Sequence, residues 1–143
     1  MEENILEIVE KSCRIYRDVI AVKYLSHREI VEKSYGDMWD DIRKTAVILR
    51  NNGLCGTHIA LVGSSSYEWI CAYMAILFTG NTAVPLDANL SVSELHELLN
   101  RSGSIALFCG ASRKDVITEL TDDCPEMNIV FTMEKKVDIE HLE

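Results

Sequence analysis

Proline and glycine are scarce in this chain of 143 residues, which has 2 prolines and 7 glycines. So few chain breakers exclude collagen-like, low-complexity and linker-rich sequence, and no internal repeat is present. Cysteine is present but unorganised. Cys13, Cys55, Cys71, Cys109 and Cys124 are odd in number and lack any CxxC spacing, which speaks against a zinc site or a disulfide framework. Cys71 and Cys109 fall inside apolar runs, where a thiol packs as a small hydrophobe. Positive charge is in deficit, with 14 basic against 23 acidic residues and a formal net charge of -9. Such a surface repels phosphate backbones and anionic lipid heads, so no nucleic acid partner is expected. A long apolar run is missing too. The longest, Trp69 to Phe78, is about half of the roughly 20 residues that span a bilayer, so no transmembrane segment is expected. Met1-Glu2-Glu3-Asn4 opens acidic, without the basic and apolar regions of a secretory leader. Reduced thiols and no leader together read as a cytoplasmic protein.

What is there is globular: 48% of residues are hydrophobic and 26% charged. One domain of this length buries roughly 70% of its unfolded surface and needs neither metal nor disulfide to fold. Ile5, Ile8 and Val9 have helical spacing over Glu3 to Tyr16. Val19 to Leu25 and Glu29 to Ser34 form a hairpin across Ser26-His27-Arg28. Ser34-Tyr35-Gly36-Asp37 caps a helix whose inner face is Trp39, Ile42, Ala46 and Leu49, ended by Asn52-Gly53. A strand His58 to Val62 follows. Ser65-Ser66-Tyr67-Glu68 then reads as a capping box, Ser65 with Glu68, opening a helix from Tyr67 to Phe78. That helix is apolar nearly all round, which predicts burial on more than one side. Thr82 to Leu86 is the next strand, and Ser91-Val92-Ser93-Glu94 caps a helix bearing Leu95, Leu98 and Leu99. Ile105 to Cys109 is a third strand. Ser112-Arg113-Lys114-Asp115 opens a helix through Val116, Ile117 and Leu120, stopped by Pro125, and Asn128 to Thr132 is a fourth strand. Short, continuously apolar strands alternating with helices predict a three-layer α/β unit with a mostly parallel sheet, preceded by a helix and a hairpin.

Chemistry is sparse in this frame. Gly63-Ser64-Ser65-Ser66, between strand and helix, reads as helix capping. The alternative, a phosphate site on backbone amides, lacks the glycines of GxGxxG at 65 and 68, and no Walker lysine is present. A nucleophile elbow at Ser65 needs a small residue where Tyr67 stands. His58, His96 and His141 read as solvated surface histidines. Asp40-Asp41 and Asp122-Asp123 read as solvated faces, and Asp37 with Asp41 lacks a third metal ligand.

Two segments resemble a known family. Ile76-Leu77-Phe78-Thr79-Gly80-Asn81-Thr82-Ala83-Val84-Pro85-Leu86-Asp87 resembles the second core motif of the AMP-forming adenylating enzymes, the acyl-CoA synthetase and peptide-synthetase superfamily. Ser34-Tyr35-Gly36-Asp37-Met38 resembles the first core motif. Ile48 to Leu54 and Gly56 to Leu61 are similar to the run between them. Ser66-Tyr67-Glu68-Trp69 with Ala72-Tyr73-Met74-Ala75 is most similar to bacterial long-chain fatty-acid–CoA ligases. The likeness extends over about residues 1–132.

The resemblance implies that residues 1–143 are one unit, the N-terminal portion of a larger adenylate-forming domain. It implies ATP, Mg²⁺ and CoA for the full-length parent and none of them for this fragment. The family's phosphate loop, its adenine, ribose and Mg²⁺ motifs, its hinge and its late catalytic lysine have no counterpart here. No catalytic, cofactor-binding or metal residue is therefore carried over. Tyr35, Gly80, Pro85 and Asp87 are the structural motif residues. The remainder of its own chain is the expected partner, and apolar helix faces and a sheet edge left open favour self-association. A different class of reading is a short, non-catalytic α/β module for protein contact, and a third is a small hydrolase built on Ser65. Leu142-Glu143 reads equally as native sequence and as a cloning scar.

Overall fold

The computed structural model describes residues 3–133 and 140–142. The amphipathic first segment is α1 (Ile5–Ile15), with Asn4 and Glu7 forming a reciprocal capping box. Strands β1 (Ile20–Ser26) and β2 (Glu29–Ser34) pair antiparallel across a turn in which His27 and Arg28 have φ of 48° and 67°. Two positive φ values at the centre of a two-residue loop are the hairpin geometry that matches strand twist. Helix α2 (Tyr35–Asn51) starts at Ser34, whose hydroxyl accepts from Asp37 N while the Asp37 carboxylate accepts from Ser34 N.

The sheet that follows alternates with helices. Its elements are β3 (His58–Val62), α3 (Tyr67–Phe78), β4 (Thr82–Leu86), α4 (Val92–Ser102) and β5 (Ala106–Gly110). A 3-10 helix (Ala111–Ile117), a single turn α5 (Leu120–Asp123), β6 (Ile129–Met133) and β7 (Glu140–Leu142) complete it. Strand order is β4-β3-β5-β6-β7, with four parallel strands and β7 antiparallel at one edge. Leu142 closes β7 opposite Val130, whereas Glu143 lies outside the described residues.

Alternation along the central strands divides the core into two layers. Ile59, Leu61, Ala106, Phe108 and Phe131 point to α2 and α3, with Leu6 and Val9 of α1 packed behind. Ala60, Val62, Leu107, Cys109 and Val130 point to Leu95 and Leu99 of α4, Val116 and Leu120. Every residue of β5 is buried, as a strand covered on both faces requires. The all-round apolar composition of α3 is explained by its position between the sheet and α2: Tyr67, Cys71, Ala72, Met74, Ala75 and Ile76 are buried. Its flank carries aromatic pairs, Trp69 stacked on Tyr73 at 5.2 Å and Phe78 edge-on to Trp39 at 5.1 Å.

Three expectations are corrected. The cap of α3 is Ser66, which accepts from Trp69 N, and not Ser65, so Glu68 completes no capping box. The helix expected from Ser112 through Leu120 is broken at Arg113 (φ −125°, ψ 29°) and at Glu119 (φ 59°). Side chains hold the broken segment in place: Arg113 donates to Ala88 O and Leu90 O at 2.7 and 2.6 Å, and the His96 ring takes up Val116 O at 2.7 Å. His96 is consequently buried, with its other ring nitrogen 2.7 Å from the Asp123 carboxylate, and is not a surface histidine.

The four motif residues occupy turns, an edge and a helix start. Tyr35 is the first residue of α2, and its ring lies 6.2 Å from that of Tyr16. Gly80 has φ +75°, the left-handed exit from α3. Pro85 sits on edge strand β4, where its missing N–H costs no interior ladder bond. Asp87 Oδ1 accepts from Asn89 N at 2.8 Å, an Asx turn. Asn81 adds a tie that its residue type did not announce. Buried, it donates to Leu54 O and Thr79 Oγ1 and accepts from Thr57 N, fastening the exit of α3 to the turn before β3.

Backbone N–H donors at Ser34 and Ser91 hold the Asp37 and Glu94 carboxyls below the usual carboxylate range. A depressed folded-state value means that these caps contribute above the ordinary carboxylate range and are lost as pH falls through it. Melting temperature recorded from neutral pH to about pH 3 is expected to fall less steeply for Asp37→Asn/Glu94→Gln than for the parent.

Candidate functional site

The chain leaves β3 toward β4 through α3 on one face of the sheet. It leaves β5 toward β6 through the 3-10 helix and α5 on the other face. The connections therefore diverge at the C-terminal ends of β3 and β5, and open α/β sheets form a crevice at such a switch point. Gly63 and Gly110 stand at those two ends. Their backbones touch: a Cβ on Gly110 would lie 3.0 Å from Gly63 Cα, and one on Gly63 would lie 3.1 Å from Gly110 Cα. A Cβ at either position would push the strand ends apart by a few tenths of an ångström, so glycine at both favours this close approach.

A cleft of about 370 Å³ opens above this contact. One wall is Ser64, Ser65, Ser66, Tyr67 and Glu68, the entry to α3. Opposite it lie Gly110, Ala111 and Ser112, and the tip of the hairpin closes the side with Tyr24, Leu25 and Ser26. Met133 also lines the cleft. The lining offers hydroxyls, backbone amides and two tyrosine rings, and among the described residues its single charged side chain is the carboxylate of Glu68.

Below the cleft, Tyr67 anchors the hairpin. Its ring stacks on Tyr24 at 5.6 Å, and Lys33 lies 5.4 Å above its centroid. Its hydroxyl donates to Asp41 Oδ2 at 2.5 Å, with Lys33 and Lys44 ammonium groups 3.7 and 3.8 Å from the same carboxylate. Asp41 is thus buried and paired, correcting the expectation of a solvated Asp40-Asp41 face; Asp40 pairs with Arg17 at 3.3 Å. Burial, and then the bond to Asp41, push the Tyr67 hydroxyl far above the usual phenol range. Burial likewise raises the neighbouring Cys71 thiol to about 12, so neither group is a nucleophile near neutral pH.

Ser65 has no base among the histidines weighed for it. His58 stands at the opposite end of β3, bonded to Ser102 O, and His96 lies in the α4 layer between Val116 and Asp123. The side chain of His141 lies outside the described residues. Among the described residues no group of three or more His, Cys, Asp or Glu side chains is arranged to hold a metal, and all five cysteines are free. No helix among them is long and apolar enough to cross a membrane. The sequence located the Gly63–Ser66 loop; it did not signal Gly110, which reaches the cleft through the order of the strands, or the hairpin tip, which reaches it through the packing of Tyr24 on Tyr67.

The fold is a parallel sheet with helices on both faces and a cleft at its switch point. A model of the family described as AMP-binding enzyme matches residues 9–142, and the chain belongs to that family. It is similar to cyclosporin synthetase simA of Tolypocladium inflatum, 30% identical over 112 residues covering 77% of this chain and 1% of that protein. Acyl-CoA ligase cnsG of Penicillium expansum is 25% identical over 105 residues, 73% of this chain and 21% of the ligase. Among solved structures, the N-terminal domain of FACL13 from Mycobacterium tuberculosis superposes with a TM-score of 0.81 at 23% identity, covering 92% of this chain and 33% of that one. At that identity the likeness is one of fold.

Two substitutions test the site's framework. Gly110→Ala drives a Cβ into the Gly63 backbone and is expected to cost about 1–3 kcal/mol in urea denaturation. Tyr67→Phe removes the hydroxyl donor from buried Asp41, a loss of about 1–3 kcal/mol, and is expected to abolish the protection of hairpin amides in hydrogen exchange before that of β5.

Proposed function

We propose that this chain is the N-terminal portion of an ATP-dependent, AMP-forming acid–thiol ligase. The parent enzyme activates a carboxylic acid, a fatty acid on the likeness of Ser66 to Trp69 and Ala72 to Ala75, to an acyl-adenylate and pyrophosphate. The thiolate of CoA then attacks the mixed anhydride, releasing AMP and the acyl thioester. AMP leaves far more readily than hydroxide would, which is the chemical reason for spending ATP. The observation that carries this reading is the family match over residues 9–142, nearly the whole chain, against relatives many times longer.

Among the described residues the lining of the cleft includes no basic side chain and does include Glu68, so those residues supply no countercharge for a triphosphate with Mg²⁺. The reading assigns the binding of ATP, Mg²⁺ and CoA to the remainder of the parent chain. It assigns to these residues the scaffold: one unit over 1–143, with Tyr35, Gly80, Pro85 and Asp87 shaping the helix start, the helix exit and the edge-strand turn. Free cysteines, four of them buried, support a reducing compartment, the cytoplasm.

The test is pyrophosphate release from ATP with a panel of carboxylic acids from short to long chain. The protein expressed from the continued reading frame is expected to turn over and residues 1–143 alone to be inactive. Turnover by residues 1–143 would overturn the assignment of the chemistry to the rest of the chain, and an inactive, ATP-blind parent would overturn the ligase reading itself.

A further inference from the structure

Helix α4 and the irregular crossover after β5 meet at one ring. His96 is 4% exposed, and both of its nitrogens face oxygens. Nδ1 lies 2.7 Å from Asp123 Oδ2, and Nε2 lies 2.7 Å from Val116 O. A carboxylate and a carbonyl only accept hydrogen bonds, whereas a neutral imidazole has one N–H and one bare lone pair. Either neutral tautomer therefore sets a lone pair against an oxygen. The imidazolium, with two N–H donors, satisfies both contacts. Whether the shared proton rests on Nδ1 or on Asp123 Oδ2, the pair holds one proton more than a neutral ring beside a carboxylate.

The two bonds span the least regular part of the chain. Val116 belongs to the 3-10 helix and Asp123 to α5. Between them Glu119 has φ 59°, a left-handed conformation that a glutamate keeps only under constraint. Two further ties join α4 to this segment, Asn100 Nδ2 donating to Asp123 O at 2.7 Å and the Cys124 thiol to His96 O at 3.4 Å. Burial holds that thiol above its usual range, so it keeps its proton near neutral pH. Upstream, Arg113 anchors the 3-10 helix to Ala88 O and Leu90 O.

The ring borders a shallow groove lined by the carboxylates of Glu97, Glu119 and Asp123. On its own helix, Glu94 is engaged by the Ser91 cap and Glu97 pairs with Arg101 at 3.6 Å. The 3-10 helix adds Lys114 and Asp115, which Arg113 holds at 3.0 Å, and α5 adds Asp122. From the sheet comes Cys109, whose thiol burial raises to about 11. Carboxylates ionise below the interval from about pH 5 to about pH 8 in which a histidine titrates, and thiols, lysines and arginines above it. Of these groups, the ring alone changes charge there. We propose that His96 is a proton-operated clasp. As an imidazolium it ties α4 to both Val116 O and Asp123; as its proton leaves with rising pH, one bond is lost and the crossover from Val116 to Asp123 opens. Opening stops at Arg113, so the cleft wall of Gly110, Ala111 and Ser112 keeps its place.

Ring nitrogen NMR shifts of the 143-residue chain are expected to show His96 with both nitrogens protonated at about pH 5.5 and one bare at about pH 8. The Thr118, Asp123 and Cys124 amides all donate within the crossover. Over the same interval their hydrogen exchange, referenced to the amides of β5, is expected to rise about tenfold, the factor that one bond to a charged donor is worth. The amide shifts of Gly110, Ala111 and Ser112 are expected to stay constant. Asp123→Asn, at a half-exposed side chain, supplies an amide that donates to the neutral ring or accepts from the charged one. In that variant the pH dependence of crossover exchange is expected to vanish. A His96 ring whose protonation does not change across the interval overturns the proposal. So does crossover exchange that ignores the ring's titration, an opening that carries Gly110, Ala111 and Ser112 with it, or an Asp123→Asn chain that keeps the parent's pH dependence.

Discussion

The contact of two glycine backbones at the ends of β3 and β5 sets the dimensions of everything around it. With backbones so close that a Cβ on either residue would press on the other, the strand ends converge while their connections depart to opposite faces of the sheet. That divergence produces the cleft, and the closeness limits its floor to bare peptide. Loops after the two strands then supply hydroxyls and amides at short range. The hairpin reaches the same place from the N-terminal end of the chain and depends on Tyr67, the first residue of α3, for its position.

Buried polar groups carry the connections that hydrophobic packing cannot direct. Asp41 joins α2, β2 and α3 through Lys33 and Tyr67. Asn81 joins the exit of α3 to the turn before β3. His96 and Arg113 hold an irregular crossover to α4 and to the loop after Asp87. Each of these side chains has its polar atoms matched, so burial costs little, and removing one partner leaves the other stranded. The apolar core fixes which layers meet; these ties fix where along the layers they meet.

Elements with strong periodicity or clear punctuation were legible from residues alone: α1, the hairpin, α2, and the strand–helix alternation from His58 to Leu99. The crossover from Ser112 to Leu120 was not, because Arg113 and His96 bond to carbonyls far away in sequence and override a local helical pattern. Ser66 outranked Ser65 as a cap because two serines in a row offer equal chemistry, and only the backbone path decides between them. The inward turn of Asp41 was hidden for a similar reason, since its partner Tyr67 lies 26 residues on and on another helix. Of the cleft, the Gly63–Ser66 side was visible as a strand–helix junction. The Gly110 side needed the spatial order of strands, which no local pattern encodes.

Both tryptophans lie in the same layer of the molecule, Trp39 edge-on to Phe78 and Trp69 stacked on Tyr73. The opposite layer, built on Leu95, Leu99, Val116 and Leu120, contains none. Intrinsic fluorescence is therefore blind to half of this protein. A spectroscopic trace that looks fully native is compatible with a melted α4 layer, and an optical view of both sides calls for an indole placed beneath α4.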